Sequence, residues 1–184
     1  MAEGEYQDGV WFEYSGPVNE KDYGEKDIHK RLLKMTTYEA GKPLGKFAKY
    51  YPYSLKPIDS YPSRLMCEGK YITCDDGFPG FGGDVKTLDL EGHEYHCTFD
   101  EHTGKAQDGI YANAYGSDKV WNQYVMTFKN GEQTAQIHTI YQKTENGQWL
   151  WFSRSGTRQD GSLFNEANPM WPEVRKQLEK SQHR

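Results

Sequence analysis

The chain reads as an all-β protein: one antiparallel up-and-down barrel of eight to ten strands, with a C-terminal helix packed outside it. Three observations predict this. Aromatic residues make up 15% of the chain, 14 of them Tyr, and aromatic side chains favour half-buried pleated surfaces. Short apolar runs recur along the length with turn residues between them, as in a barrel or sandwich. Two Asn-Gly pairs, Asn130-Gly131 and Asn146-Gly147, stand between such runs and supply the positive φ angles of two-residue hairpins.

The elements follow in order. Gly9–Ser15 is the first strand, closed by Gly16-Pro17, and Lys30–Glu39 and Lys46–Leu55 come next. Arg64–Thr73 stops at Asp75-Asp76-Gly77, and Asp84–Leu90 and Glu94–Asp100 flank the turn at Glu91-Gly92. Gly109–Tyr115, Val120–Lys129, Gln133–Gln142 and Gln148–Ser155 complete the set, the last three joined by the Asn-Gly turns. Between strands, Gly77–Gly83 reads as a flexible loop whose Phe78 and Phe81 suit a pocket rim.

Pro172 suits the first turn of a helix. Trp171, Val174 and Leu178 then fall on one apolar stripe, and Lys180, His183 and Arg184 sit where the helix dipole prefers positive charge. Trp149-Leu150-Trp151-Phe152 is apolar without alternation, which implies burial on both faces of its strand. The helix is the expected cover for the outer one.

Composition narrows the function classes. At 184 residues the chain suits a single domain spanning 1–184. Its 22 Lys and Arg are scattered among 27 Asp and Glu, without the basic stripe that nucleic acid requires. No run approaches the roughly 20 apolar residues of a membrane-spanning helix, and the acidic start, Met1–Asp8, lacks a signal-like apolar core. Cys67, Cys74 and Cys97 cannot all pair and form no C-x-x-C. Reduced thiols in a cytoplasmic protein are the expectation, with one Cys67–Cys97 disulfide left open.

Gly9-Val10-Trp11 at the head of the first strand, Arg154 near the end of the last, and the helix after it resemble the lipocalin and wider calycin barrels. The resemblance implies a lipocalin-like domain in which Trp11 closes one end of the barrel and Arg154 stacks upon it. It also implies a small apolar or amphipathic ligand in the interior, or catalysis on one.

The chemistry-bearing residues are few. His93 and His96 are spaced so that on a strand their rings would face opposite ways, and no Cys or His cluster has zinc-site spacing. No phosphate-binding loop or nucleophile elbow occurs, so no metal or cofactor is expected. Glu13 shares a strand face with Trp11 and, if inside a barrel, would be a general acid/base candidate. The alternative is an ion pair with a cross-strand Lys or Arg. His138 and Tyr124 lie on adjacent strands across the Asn130-Gly131 turn and could together protonate a carbonyl or hydroxyl. Equally, His138 could face solvent. Glu68 is a weaker candidate because Lys70 offers it a partner.

Two classes of function remain. In the first, the barrel holds an apolar or aromatic small molecule between walls that include Trp11, Phe81, Trp121 and Trp151, with Glu68 and Arg154 as polar anchors. In the second, Glu13, Tyr124 and His138 perform cofactor-free acid/base chemistry on such a molecule: isomerisation, cyclisation, dehydration or a lyase reaction. A carbohydrate-binding module is the third option, requiring aromatic rings in a row on an outer surface. The expected partner is a small molecule, with a homodimer left open.

Overall fold

The computed structural model describes residues 8–14, 32–51, 65–117, 119–144 and 149–171. They form eleven strands: β1 (Gly9–Tyr14), β2 (Leu32–Glu39), β3 (Lys42–Tyr50), β4 (Leu65–Thr73), β5 (Pro79–Leu88), β6 (Glu94–Phe99), β7 (Ala106–Gly116), β8 (Val120–Lys129), β9 (Glu132–Lys143), β10 (Trp149–Thr157) and β11 (Leu163–Ala167). All belong to one antiparallel sheet whose spatial order is the chain order. This is the up-and-down meander that the sequence predicts. Among the described residues no strand pair joins β1 to β11, so hydrogen bonds do not close the sheet into a barrel. Among the same residues no helix is long and apolar enough to cross a membrane.

The strand count exceeds eight to ten because of β11. Leu-Phe-Asn-Glu-Ala is short and mostly exposed, yet it pairs with β10 from Ser153–Ala167 to Thr157–Leu163. The expected loop at Gly77–Gly83 is also largely strand: β5 begins at Pro79, and Phe81 pairs with Tyr71. The helix expected from Pro172 onward, and the Asn146-Gly147 turn, lie outside the described residues. Trp171 itself sits in a bend after β11, buried, with its ring edge-on to Phe152 at 5.5 Å. This bend covers Phe152. A register shift between Trp151 and Ser153 interrupts the regular alternation of β10.

The turns follow from residue type. Asn130 and Gly131 have φ of 52° and 79° between the paired Lys129 and Glu132, the two-residue hairpin that Asn-Gly favours. The sheet bends sharply at Gly109. There β6 pairs with β7 only between Cys97–Phe99 and Ala106–Gly109. Gly109 has φ +110°, and a Cβ would lie 2.3 Å from the carbonyl oxygen of His96, so glycine alone fits. Beyond this corner the N–H of Ala112 donates to Thr87 Oγ1 at 3.0 Å. That bond replaces the ladder partner that β6 no longer supplies.

Two apolar clusters line the inner face. Phe47, Cys67 and Val85 form one, with Tyr71, Phe81, Phe99 and Tyr111 packed against them. Val85 is completely buried, worth roughly 1.5–3 kcal/mol by burial of its side chain. Tyr51, Leu90, Ala114, Trp121, Tyr141 and Trp149 form the other. Tyr51 follows β3 and Trp121 lies on β8, yet their rings meet edge-on at 5.9 Å, which shows how far the sheet curls. All three cysteines are free and buried. Burial pushes the thiols of Cys67 and Cys97 up to about 11.

Candidate functional site

The turn between β5 and β6 folds inward across the end of the curled sheet. Leu90 anchors it in the second cluster, and its N–H donates to Gln123 Oε1 on β8 at 2.7 Å. Tyr51 donates to the carbonyl of Leu88 at 2.9 Å. These contacts set Asp89, Glu91 and His93 against β9 and β10.

Asp89 is only 3% exposed, and a buried carboxylate must be bonded throughout. One oxygen accepts the N–H groups of Glu91 and His93, both at 2.9 Å. The other accepts from His93 Nδ1 at 3.0 Å and from the Tyr95 hydroxyl at 3.1 Å. A carboxylate can only accept here, so Nδ1 carries the proton. His93 is otherwise open to solvent, its side chain 63% exposed, and its bond to Asp89 raises its pKa. Burial, the Asp89 charge and the bond to it push Tyr95 up to about 12.

Glu91 closes the other half of the site. Its Oε1 accepts from Tyr141 at 2.9 Å and from the Arg154 guanidinium. The guanidinium carbon stands 4.7 Å above the Trp151 ring, an arrangement favoured by charge and stacking together. Burial, and then the neighbouring Glu91 charge, raise the Tyr141 pKa. Asp89, Glu91 and His93 also offer one potential metal-ligand atom each within 4.8 Å of one another, the one such group among the described residues. Their bonds within the protein already occupy both Asp89 oxygens and Glu91 Oε1.

The sequence-predicted residues fall in several places. Glu13 lies cross-strand from Lys34 and pairs with it at 2.9 Å, the ion-pair alternative. Trp11 is 39% exposed on the outermost strand β1, and the ring beneath Arg154 is Trp151. Tyr124 and His138 do come together, rings parallel at 4.4 Å, with His138 Nε2 donating to Asn122 at 3.0 Å. By alternation they face away from the buried Trp121, Gln123, Thr139 and Tyr141, on the outer side of the sheet, and Glu13 is not beside them. Burial lowers the His138 pKa.

Tyr115 continues that outer stack at 5.9 Å from Tyr124. Rings stacked on one another consume the faces a sugar would need, which weighs against a carbohydrate platform. Glu68 pairs with Lys86, its direct cross-strand partner on β5, whereas Lys70 pairs with Glu101 at 3.5 Å. Phe81 stacks on Phe47 at 5.0 Å, and Trp121 is buried in the second cluster. His93 and His96 part company: His96 bonds Asp84 and Glu94 at 3.0 and 3.1 Å.

No motif in the sequence marks Asp89, Glu91, Tyr95 or Tyr141, and it offers His93 only as half of a rejected metal-ligand pair. The one local signal is the run of alternate polar residues Asp89-Leu90-Glu91-Gly92-His93 in a turn longer than Glu91-Gly92 alone. In comparisons with protein families, curated proteins and solved structures, the chain matches none.

Proposed function

We propose that the protein binds a small aromatic or apolar molecule at the end of its inner face, beside Trp151, and performs acid/base chemistry on it through His93. The observation that supports this reading is the Asp89–His93 pair. A buried carboxylate fixes the Nδ1 proton of an exposed imidazole, which leaves Nε2 to exchange a proton with a bound molecule. Glu91, Arg154 and Tyr141 hold the adjoining wall rigid. Glu13, Tyr124 and His138, separated as they are, have no part in it.

The neutral fluorophore N-phenyl-1-naphthylamine tests the binding. It should bind the wild type saturably and at least fivefold more weakly to Trp151→Ala; equal affinity would overturn the placement. The base-sensitive aromatic 5-nitrobenzisoxazole tests the chemistry. Its ring opening should be accelerated by wild type, and His93→Gln should remove most of that rate. A wild-type rate equal to that of buffer would sink the catalytic half and leave a carrier.

A further inference from the structure

Register places one continuous row of side chains across the inner face of five strand pairs. Glu13 lies opposite Lys34, Lys34 opposite Lys49, Lys49 opposite Cys67, Cys67 opposite Thr87, and Thr87 opposite Tyr95. The row ends at the site just described, since Tyr95 donates to Asp89.

Two lysines directly opposed on neighbouring strands repel, because such pairs sit only about 4.5–5.5 Å apart at Cβ. Glu13 offsets one of them, bonding Lys34 at 2.9 Å. Lys49 has no carboxylate partner among the described residues. Its ammonium stands 5.7 Å above the Phe81 ring, at the margin of the aromatic cluster of Phe47, Tyr71 and Phe81. Thr36 lies two residues beyond Lys34 on the same face, 1% exposed, and its Oγ1 has no hydrogen-bond partner. This stretch of the inner wall therefore carries surplus positive charge and an unmet hydroxyl beside an aromatic surface, a combination that costs stability unless something answers it.

We infer that Lys34 and Lys49 form an anion subsite, so that the ligand is an aromatic molecule bearing a carboxylate or sulfonate. The ammonium groups hold the anionic group while the ring system lies against the partly buried rings of Tyr71 and Phe81. The assignment rests on the small-molecule reading above and names its ligand class.

Two fluorophores of similar body separate the two claims: 1-anilinonaphthalene-8-sulfonate, which is anionic, and N-phenyl-1-naphthylamine, which lacks the sulfonate. Wild type should bind both. Lys49→Met should weaken the anionic probe at least fivefold, Lys49→Arg should keep it within twofold, and the neutral probe should be unmoved by either change. Circular dichroism checks that the variants remain folded. If Lys49→Met weakens neither probe, or weakens both alike, the anion subsite is wrong while the binding reading stands. If wild type binds neither probe, the small-molecule reading falls, and the subsite with it.

Discussion

Asp89 and His93 are joined twice: one carboxylate oxygen takes the His93 backbone N–H at 2.9 Å and the other takes its ring Nδ1 at 3.0 Å. The backbone bond fixes where the ring begins, and the side-chain bond fixes how it turns. An exposed imidazole held in this way titrates differently from a free one.

Two histidines should therefore move in opposite directions in an NMR titration. His93 should titrate above the ordinary value of about 6.5, and Asp89→Asn should return it there. His138, whose ring burial disfavours its charge, should titrate below. The stability that His93 adds is complete below about pH 6.5 and is lost as pH rises through its raised value. The stability linked to His138 is present above about pH 6.5 and is lost as pH falls toward its lowered value. Identical midpoints for the two would refute both assignments.

Glu91→Gln should weaken the bond to Arg154 and the hold on Tyr141. The pair is partly open to solvent, so the coupling is about 1 kcal/mol. Urea denaturation of Glu91→Gln, Arg154→Met and the double variant reads it directly. Strict additivity would mean that the two side chains merely lie close together.

Gly109→Ala should be far more costly than Gly77→Ala, although both positions have positive φ. At Gly109 a methyl would meet the His96 carbonyl at 2.3 Å, whereas at Gly77 nothing lies within 4 Å. Strain in the left-handed region alone costs roughly 1–3 kcal/mol, and the clash at Gly109 adds to it. Equal denaturation midpoints for the two variants would contradict the corner.

The three thiols should be silent toward Ellman's reagent at pH 8 in the folded protein and should all react in denaturant. Burial of Cys67 and Cys97 holds both near 11, where little thiolate exists. A fast-reacting native thiol would show that one of them is reachable.

The meander was legible because hairpins are local. Asn130-Gly131 fixes its own turn, and the apolar runs on either side fix the strands. The eluded elements are those where local cues mislead. Pro79-Gly80-Phe81-Gly82-Gly83 looks like a loop, yet β5 carries it. There Gly82 lies so close to the Ile72 side chain that an added Cβ would come within 2.5 Å of it, so the glycines permit close packing rather than flexibility. Glu13 was legible as a face partner of Trp11 but not as the partner of Lys34, which depends on register. The site itself was hidden for a simpler reason: Glu91 meets Tyr141 and Arg154 across 50 and 63 residues of chain. No periodicity reports such distances.

Those long-range bonds give the turn between β5 and β6 the character of a latch. Every strand is paired to its chain neighbours, so the sheet behaves as a coiled ribbon that could be uncurled from one end without breaking its ladders. Releasing Glu91 and Leu90 costs a handful of polar bonds, about 1 kcal/mol each, together with the burial of one leucine. That is much less than unfolding the domain. The aromatic interior is thus closed by a small, separately breakable set of contacts, and local opening there, on the microsecond-to-millisecond scale of such motions, is the route by which the proposed ligand would enter.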